Sequence, residues 1–238
     1  MKKYLFLFLI LFAFSRLWGQ NITDYDYPIK PGSSVWKNFK STQEMVDACQ
    51  IPEGVLKKLS TKDLLKVCLK YPLLRDYTAS NSPYEGLKNI IGIFNGLTEF
   101  INRQDCHKFL FEHYKNQNIN SIQSITNKGS YTFDICALEL LLCQKQLMER
   151  FNKQELTDVL NTIMKKYEDK AKYADYFGFY GKMTTAFAGN KFKEALDSTR
   201  IEKDAKKKLF IEKMLIADFD IIDKIIAELQ NYITTKKQ

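Results

Sequence analysis

Both histidines of the chain fall in one stretch, Arg103 to Lys115 (RQDCHKFLFEHYK), with His107 and His113 six residues apart. On a helix that separation leaves the two rings about 120° apart around the axis, so they do not share a face. Cys106 does share one with His113, but two turns away, too far for both to hold one zinc ion without ligands from another element. Glu112-His113 lacks the second histidine of an HExxH pattern, and no metal site is expected. Cys106 and His107 are neighbours and point about 100° apart on a helix, which rules out a thiolate–imidazole pair between them. No Gly-x-Ser-x-Gly is present, and Gly178 and Gly181 in GFYG sit among aromatics rather than before a lysine and a hydroxyl, so no phosphate loop and no cofactor are expected.

Two groups of residues remain. Glu139 lies in ICALELLL, the most apolar stretch beyond the N-terminus, where desolvation favours a raised-pKa acid; it is the one carboxylate around which a hydrolase site is conceivable. The second is a glycine face. From Tyr84 to Asn102 the helical period puts Leu87, Ile90, Ile91, Ile93, Phe94, Leu97, Phe100 and Ile101 on one half of the wheel. Gly92, Asn95, Gly96 and Glu99 fall on the other half. A glycine inside an exposed helix costs about 1 kcal/mol against alanine, so two of them four apart mark a place where a ligand or another backbone comes close. Gly92, Asn95, Gly96 and Glu99 are therefore the expected binding surface.

The elements that position these residues read as helices throughout. One helix-opening phrase is written twice, STQEMVDAC from Ser41 and STKDLLKVC from Ser60, each with a cap-forming serine and an acid three residues on. Pro72 ends the second helix near Lys70. Cys49 and Cys68 hold equivalent places in the two copies and are the one pair nominated for a disulfide, the alternative being five small buried hydrophobes. Residues 20–40, with two prolines and four large aromatics, read as an extended arm. Residues 117–130 are rich in Asn, Ser and Gln and read as a linker or a long loop. They separate an N-terminal helical lobe, 41–116, from a C-terminal one, 131–238. The latter is expected to hold a helix over 131–151 that is buried on all sides in its first half, a helix to about Tyr176, a Gly-aromatic turn at 177–181, and a long helix over 205–232. No segment alternates convincingly as a strand. The fold expected is all-α, an irregular multi-helix bundle or a HEAT-like stack of helix pairs, in one domain or two.

Lys2 and Lys3 precede an apolar run of 11 residues, Tyr4 to Phe14, followed by a polar stretch around Gly19. That is the order of a secretory signal peptide, and the run falls short of the roughly 20 residues that span a membrane. Residues 1–19 are read as cleaved, leaving no membrane span and a secreted or periplasmic protein. The formal charge falls from +8 to +5 when Lys2, Lys3 and Arg16 leave with the peptide. The remaining lysines alternate with acids, so no basic stripe is laid out for nucleic acid.

The phrase STKDLLKVCLKYPLLRDY followed by FNGLTEFINRQDC resembles that of a group of uncharacterised secreted proteins of Bacteroidetes-like and some Gram-positive bacteria. Those proteins carry a similar "ST, acid, Leu, then CL-x-YPL" segment and a downstream "FNGL-x-E, then Arg and Asp". The resemblance spans about residues 36–114, with Thr98 and Cys106 departing from the pattern. It implies an exported helical bacterial protein and no particular activity. Taken together, the sequence leads one to expect an exported helical binding protein with a protein, peptide or glycan partner. A carboxylate-dependent hydrolase around Glu139 and a structural envelope component are the alternatives.

Overall fold

The structure, a computed structural model, describes residues 22–197 and 202–236; the signal peptide read at 1–19 lies outside them. It is all-α, and among the described residues there is no strand. The arm runs extended to one short turn, α1 (Ser34–Lys37), and is held by Tyr27, which is buried and donates its hydroxyl to the Val67 carbonyl at 3.2 Å. The doubled phrase forms α2 (Thr42–Ala48) and α4 (Thr61–Leu69), with the one-turn α3 (Glu53–Leu56) between them. Ser41 and Ser60 accept the N–H groups of Glu44 and Asp63, so both serines cap as expected. Glu44, however, reaches back to the N–H of Lys40 rather than to that of Ser41.

After a 3-10 turn (Leu74–Ala79) the expected helix over 84–102 is two helices, α5 (Pro83–Ile93) and α6 (Asn95–Asn102). Phe94 breaks it with φ −106° and ψ 114°. The break lets Phe94 turn into the core, where its ring is fully buried and stacks on Tyr71 at 3.8 Å between centroids. Burying a phenylalanine is worth about 1.5–3 kcal/mol. Gln50 supplies the polar groups lost from the helix ladder: its amide donates to the Ile93 carbonyl at 3.0 Å and accepts from the Asn95 N–H at 2.9 Å.

α7 (Cys106–Asn116) follows, with Asp105 at its start turned away to accept from the Thr61 hydroxyl instead of capping. The stretch 117–130 holds a 3-10 turn (Ile119–Ser124) whose Ile119 and Ile122 are buried. One hydrophobic core runs from Tyr27 to Leu229 through both expected lobes. Tyr77 also bonds the Phe133 carbonyl and Ser82 the Lys213 carbonyl across them. The residues read as a linker or a long loop thus connect parts that share one core.

In the C-terminal part the helix expected over 131–151 stops early. α8 (Lys128–Leu142) ends where Gln144 becomes extended and folds its amide back onto the Leu140 carbonyl, and the one-turn α9 (Lys145–Met148) leads away. Every residue from Ile135 to Leu142 is buried, as the apolar pattern requires. α10 (Lys153–Ala171) and α11 (Ala174–Leu196) pack along each other, and α11 also lies on α8. The expected Gly-aromatic turn at 177–181 is a kink inside α11, at Gly178 with φ +49° and ψ −153°, a conformation open to glycine. The long helix expected over 205–232 is divided into α12 (Ala205–Lys213) and α13 (Asp220–Lys236), because Met214 takes the left-handed conformation, φ 54°, and ends α12. Among the described residues no helix is long and apolar enough to cross a membrane.

Candidate functional site

The break at Phe94 decides the fate of the glycine face. Gly92 is exposed, with nothing within 4 Å of the position a Cβ would take. Gly96 is buried, because α6 is rotated relative to α5 by the intervening extended residue. A Cβ there would stand 2.7 Å from Phe94 Cε1 and 2.8 Å from Ile51 Cδ1, so Gly96 serves close packing and is not part of a binding surface. Asn95 is engaged on both ends of its amide, Oδ1 accepting from the Ile51 N–H at 3.0 Å and Nδ2 donating to the Ile51 carbonyl at 2.8 Å. Glu99 accepts from Arg103 Nε at 3.0 Å and orients that guanidinium, whose other nitrogens donate to the carbonyls of Leu59 and Leu56. Gly92, Asn95 and Glu99 still line one shallow hollow of about 310 Å³, together with Gln50, Ile93 and Thr98. Its polar groups are mostly occupied in joining α5 and α6 to the loop at Gln50 and Ile51.

Glu139 is fully buried where α7, α8, α10 and α11 meet. Lys170 Nζ donates to both its oxygens, at 2.6 and 2.8 Å, the Tyr114 hydroxyl donates at 2.8 Å and the Thr184 hydroxyl at 2.7 Å. Lys170 also reaches the Gly181 carbonyl and the Thr185 hydroxyl. The cluster satisfies a buried ion pair by full hydrogen bonding, the condition under which such a pair persists in a core. The carboxylate expected to be partly desolvated is thus wholly enclosed, and its two oxygens face protein donors and not an open pocket.

All five cysteines are buried free thiols, so the nominated pair Cys49 and Cys68 is not bonded; each packs from its own helix into the core. Burial pushes every one of these thiols up, Cys136 to about 11, which keeps them protonated and unreactive at neutral pH. His107 is buried edge-on against Phe151, and His113 contacts the side-chain amide of Gln117; burial lowers the pKa of both rings. Among the described residues no group of three or more His, Cys, Asp or Glu side chains is placed to hold a metal ion.

A polar cavity lies elsewhere, at the C-terminal end of α7. Lys115, Asn116, Gln117, Asn118, Ile119 and Asn120 form one wall and Thr162, Lys165, Lys166 and Asp169 of α10 the other, around a basin of about 480 Å³. The chain leaves α7 at Gln117, whose amide turns back to the His113 ring and carbonyl, and Asn118 caps the 3-10 turn by accepting the Asn120 N–H, while the Asn120 side chain meets Asp169. Lys166 closes the floor: it is buried, donates to the carbonyls of Lys115 and Gln117 at 3.3 and 2.5 Å, and lies 5.1 Å over the Tyr114 ring. That ammonium sits on the free carbonyls ending α7, where positive charge is favoured, while burial lowers its pKa. Asp169 bonds Lys172 at 2.7 Å, and that contact holds its carboxyl below the usual range. Lys115, Asn116 and Lys165 have exposed side chains in no hydrogen bond or close ion pair among the described residues, although the Lys165 charge helps to lower Asp169.

The sequence reading missed this basin. Most of its amide wall lies in the stretch 117–130, whose composition reads as a linker or a long loop, and nothing local to Lys165 and Lys166 indicates that α10 folds back against that run. Comparison with protein-family models, curated proteins and solved structures gave no match.

Proposed function

We propose that the chain is an exported binding protein that captures a hydrophilic, hydroxyl-rich ligand, a glycan or one of its units, in the basin between the end of α7 and α10. The observation that carries this reading is the basin itself: four side-chain amides and a threonine line a cavity whose one apolar residue, Ile119, is 1% exposed, Asn116 being free and Gln117, Asn118 and Asn120 each holding a protein contact besides. An amide offers a donor and an acceptor on one plane, which suits a pair of neighbouring hydroxyls. The volume of about 480 Å³ falls within the roughly 300–1,000 Å³ usual for small-molecule sites. Export rests on the charge, apolar run and small-residue order of residues 1–19 and on the resemblance to secreted helical bacterial proteins, and implies a periplasmic or extracellular ligand. Glu139 gives little support to a hydrolase, since both its oxygens are engaged and it is not presented to a substrate.

The test is retention on a printed array of neutral and charged oligosaccharides, comparing the protein with an Asn116→Trp variant. Asn116 is exposed and its side chain has no partner among the described residues, so an indole there crowds the basin without disturbing the core. Retention is expected to be lost while the thermal melt stays unchanged. Unchanged retention by the variant would place binding on another surface.

A further inference from the structure

Resting on that reading, we propose that the basin takes a sugar acid, a ring with neighbouring hydroxyls and one carboxylate, with Lys115 and Lys165 receiving the acid group. Three lysines line the cavity against one acid, Asp169. That acid is bonded to Lys172, outside the basin lining, and acts on Lys165 and Lys166 only at a distance, so the three lysines keep an excess of positive charge over it. Lys166 is committed to the carbonyls at the end of α7, so it contributes field but no free donor geometry of its own making. Lys115 and Lys165 are left with unpaired ammonium groups, one on each wall.

Other surface lysines are held by an acid, Lys30 by Asp26, Lys66 by Asp63, Lys70 by Asp24 and Lys172 by Asp169. Two unpaired cations across one cavity of amides are matched by a ligand that brings a carboxylate and hydroxyls together. A neutral sugar leaves the cations without a partner, and an apolar side chain finds only Ile119. The chemistry is the same whether the acid is a free monosaccharide or a residue of a polymer, and the two sources differ in avidity.

A ligand-observed NMR titration of the protein with sodium glucuronate, glucose and sodium acetate separates the contributions, with polygalacturonate as the polymer arm and polyglutamate as the acidic-peptide control. Glucuronate is expected to bind about tenfold more tightly than glucose, the ratio supplied by one charge-assisted hydrogen bond, and acetate not measurably. In a Lys115→Gln/Lys165→Gln variant the preference for glucuronate should vanish while glucose binding is kept. Saturation by glucuronate places the monosaccharide in the basin; binding by polygalacturonate alone assigns the site to a polymer. Equal affinity for glucose and glucuronate would overturn the acid assignment and leave the glycan reading standing. Acetate or polyglutamate binding as tightly as the uronates would overturn both the sugar acid and the glycan. Absence of binding by glucose and by both uronates would also defeat the two readings together.

Discussion

Replacing Glu139 with glutamine, or Lys170 with methionine, is expected to destabilise the protein by about 3–5 kcal/mol, because each change leaves an uncompensated charge or an unsatisfied donor in a core that water does not reach. Glu139 and Lys170 are 0% and 2% exposed at their side chains, and removal of the carboxylate takes the acceptor from the Tyr114 hydroxyl and leaves the ammonium with only the Gly181 carbonyl and the Thr185 hydroxyl. The double change Glu139→Leu/Lys170→Met removes both charges at similar volume and should recover most of the loss, as buried pairs replaced together often do. Urea unfolding measures this directly, a lower midpoint at constant slope reporting stability alone. A loss below about 1 kcal/mol for either single variant would mean that solvent enters the cluster, and it would return Glu139 to candidacy as a reactive group.

The second large effect concerns the two glycines four residues apart. Gly96→Val is expected to cost about 1–3 kcal/mol or more, since its first carbon would meet the Phe94 ring and Ile51 at 2.7 and 2.8 Å. Both neighbours are themselves packed, Phe94 against Tyr71, so neither can move aside cheaply. Gly92→Ala, at an exposed helical position with open space around it, should be neutral or stabilise by up to about 1 kcal/mol. Thermal melts of the two variants side by side decide the matter. Equal melting temperatures would show that α5 and α6 form one straight helix with both glycines outward.

These two sites mark how far the sequence could be read. The all-α class followed from apolar periodicity and capping serines, which are local and act wherever the chain lies; Ser41 and Ser60 accept the expected N–H groups. The buried first half of α8 followed from apolar residues on every side of the wheel. Helix breaks did not follow, because at Phe94 and Gln144 the cause is a partner distant in sequence or a ring seeking the core. Gln50, more than forty residues before Asn95, supplies the bonds that allow the chain to leave the helix at Phe94. With the helix read as continuous, Gly96 was placed on the wrong face. Glu139 was singled out for its burial, but its partner Lys170 lies on another helix in a stretch that reads as a solvated lysine-rich face. The basin was hidden for the same reason: half of its wall is an asparagine run with the composition of a loop, and the other half is one face of α10 brought to it by the core.

The claim that this is a binding protein working through that basin is tested most directly by amide NMR mapping of the protein titrated with sodium glucuronate. The account predicts saturable shifts of the side-chain amide signals of Asn116, Gln117, Asn118 and Asn120, with the hollow at Gly92 and Glu99 and the exposed pair Phe179 and Phe219 unmoved. Shifts confined to either of those other surfaces, or no saturable shift at the basin, would contradict it.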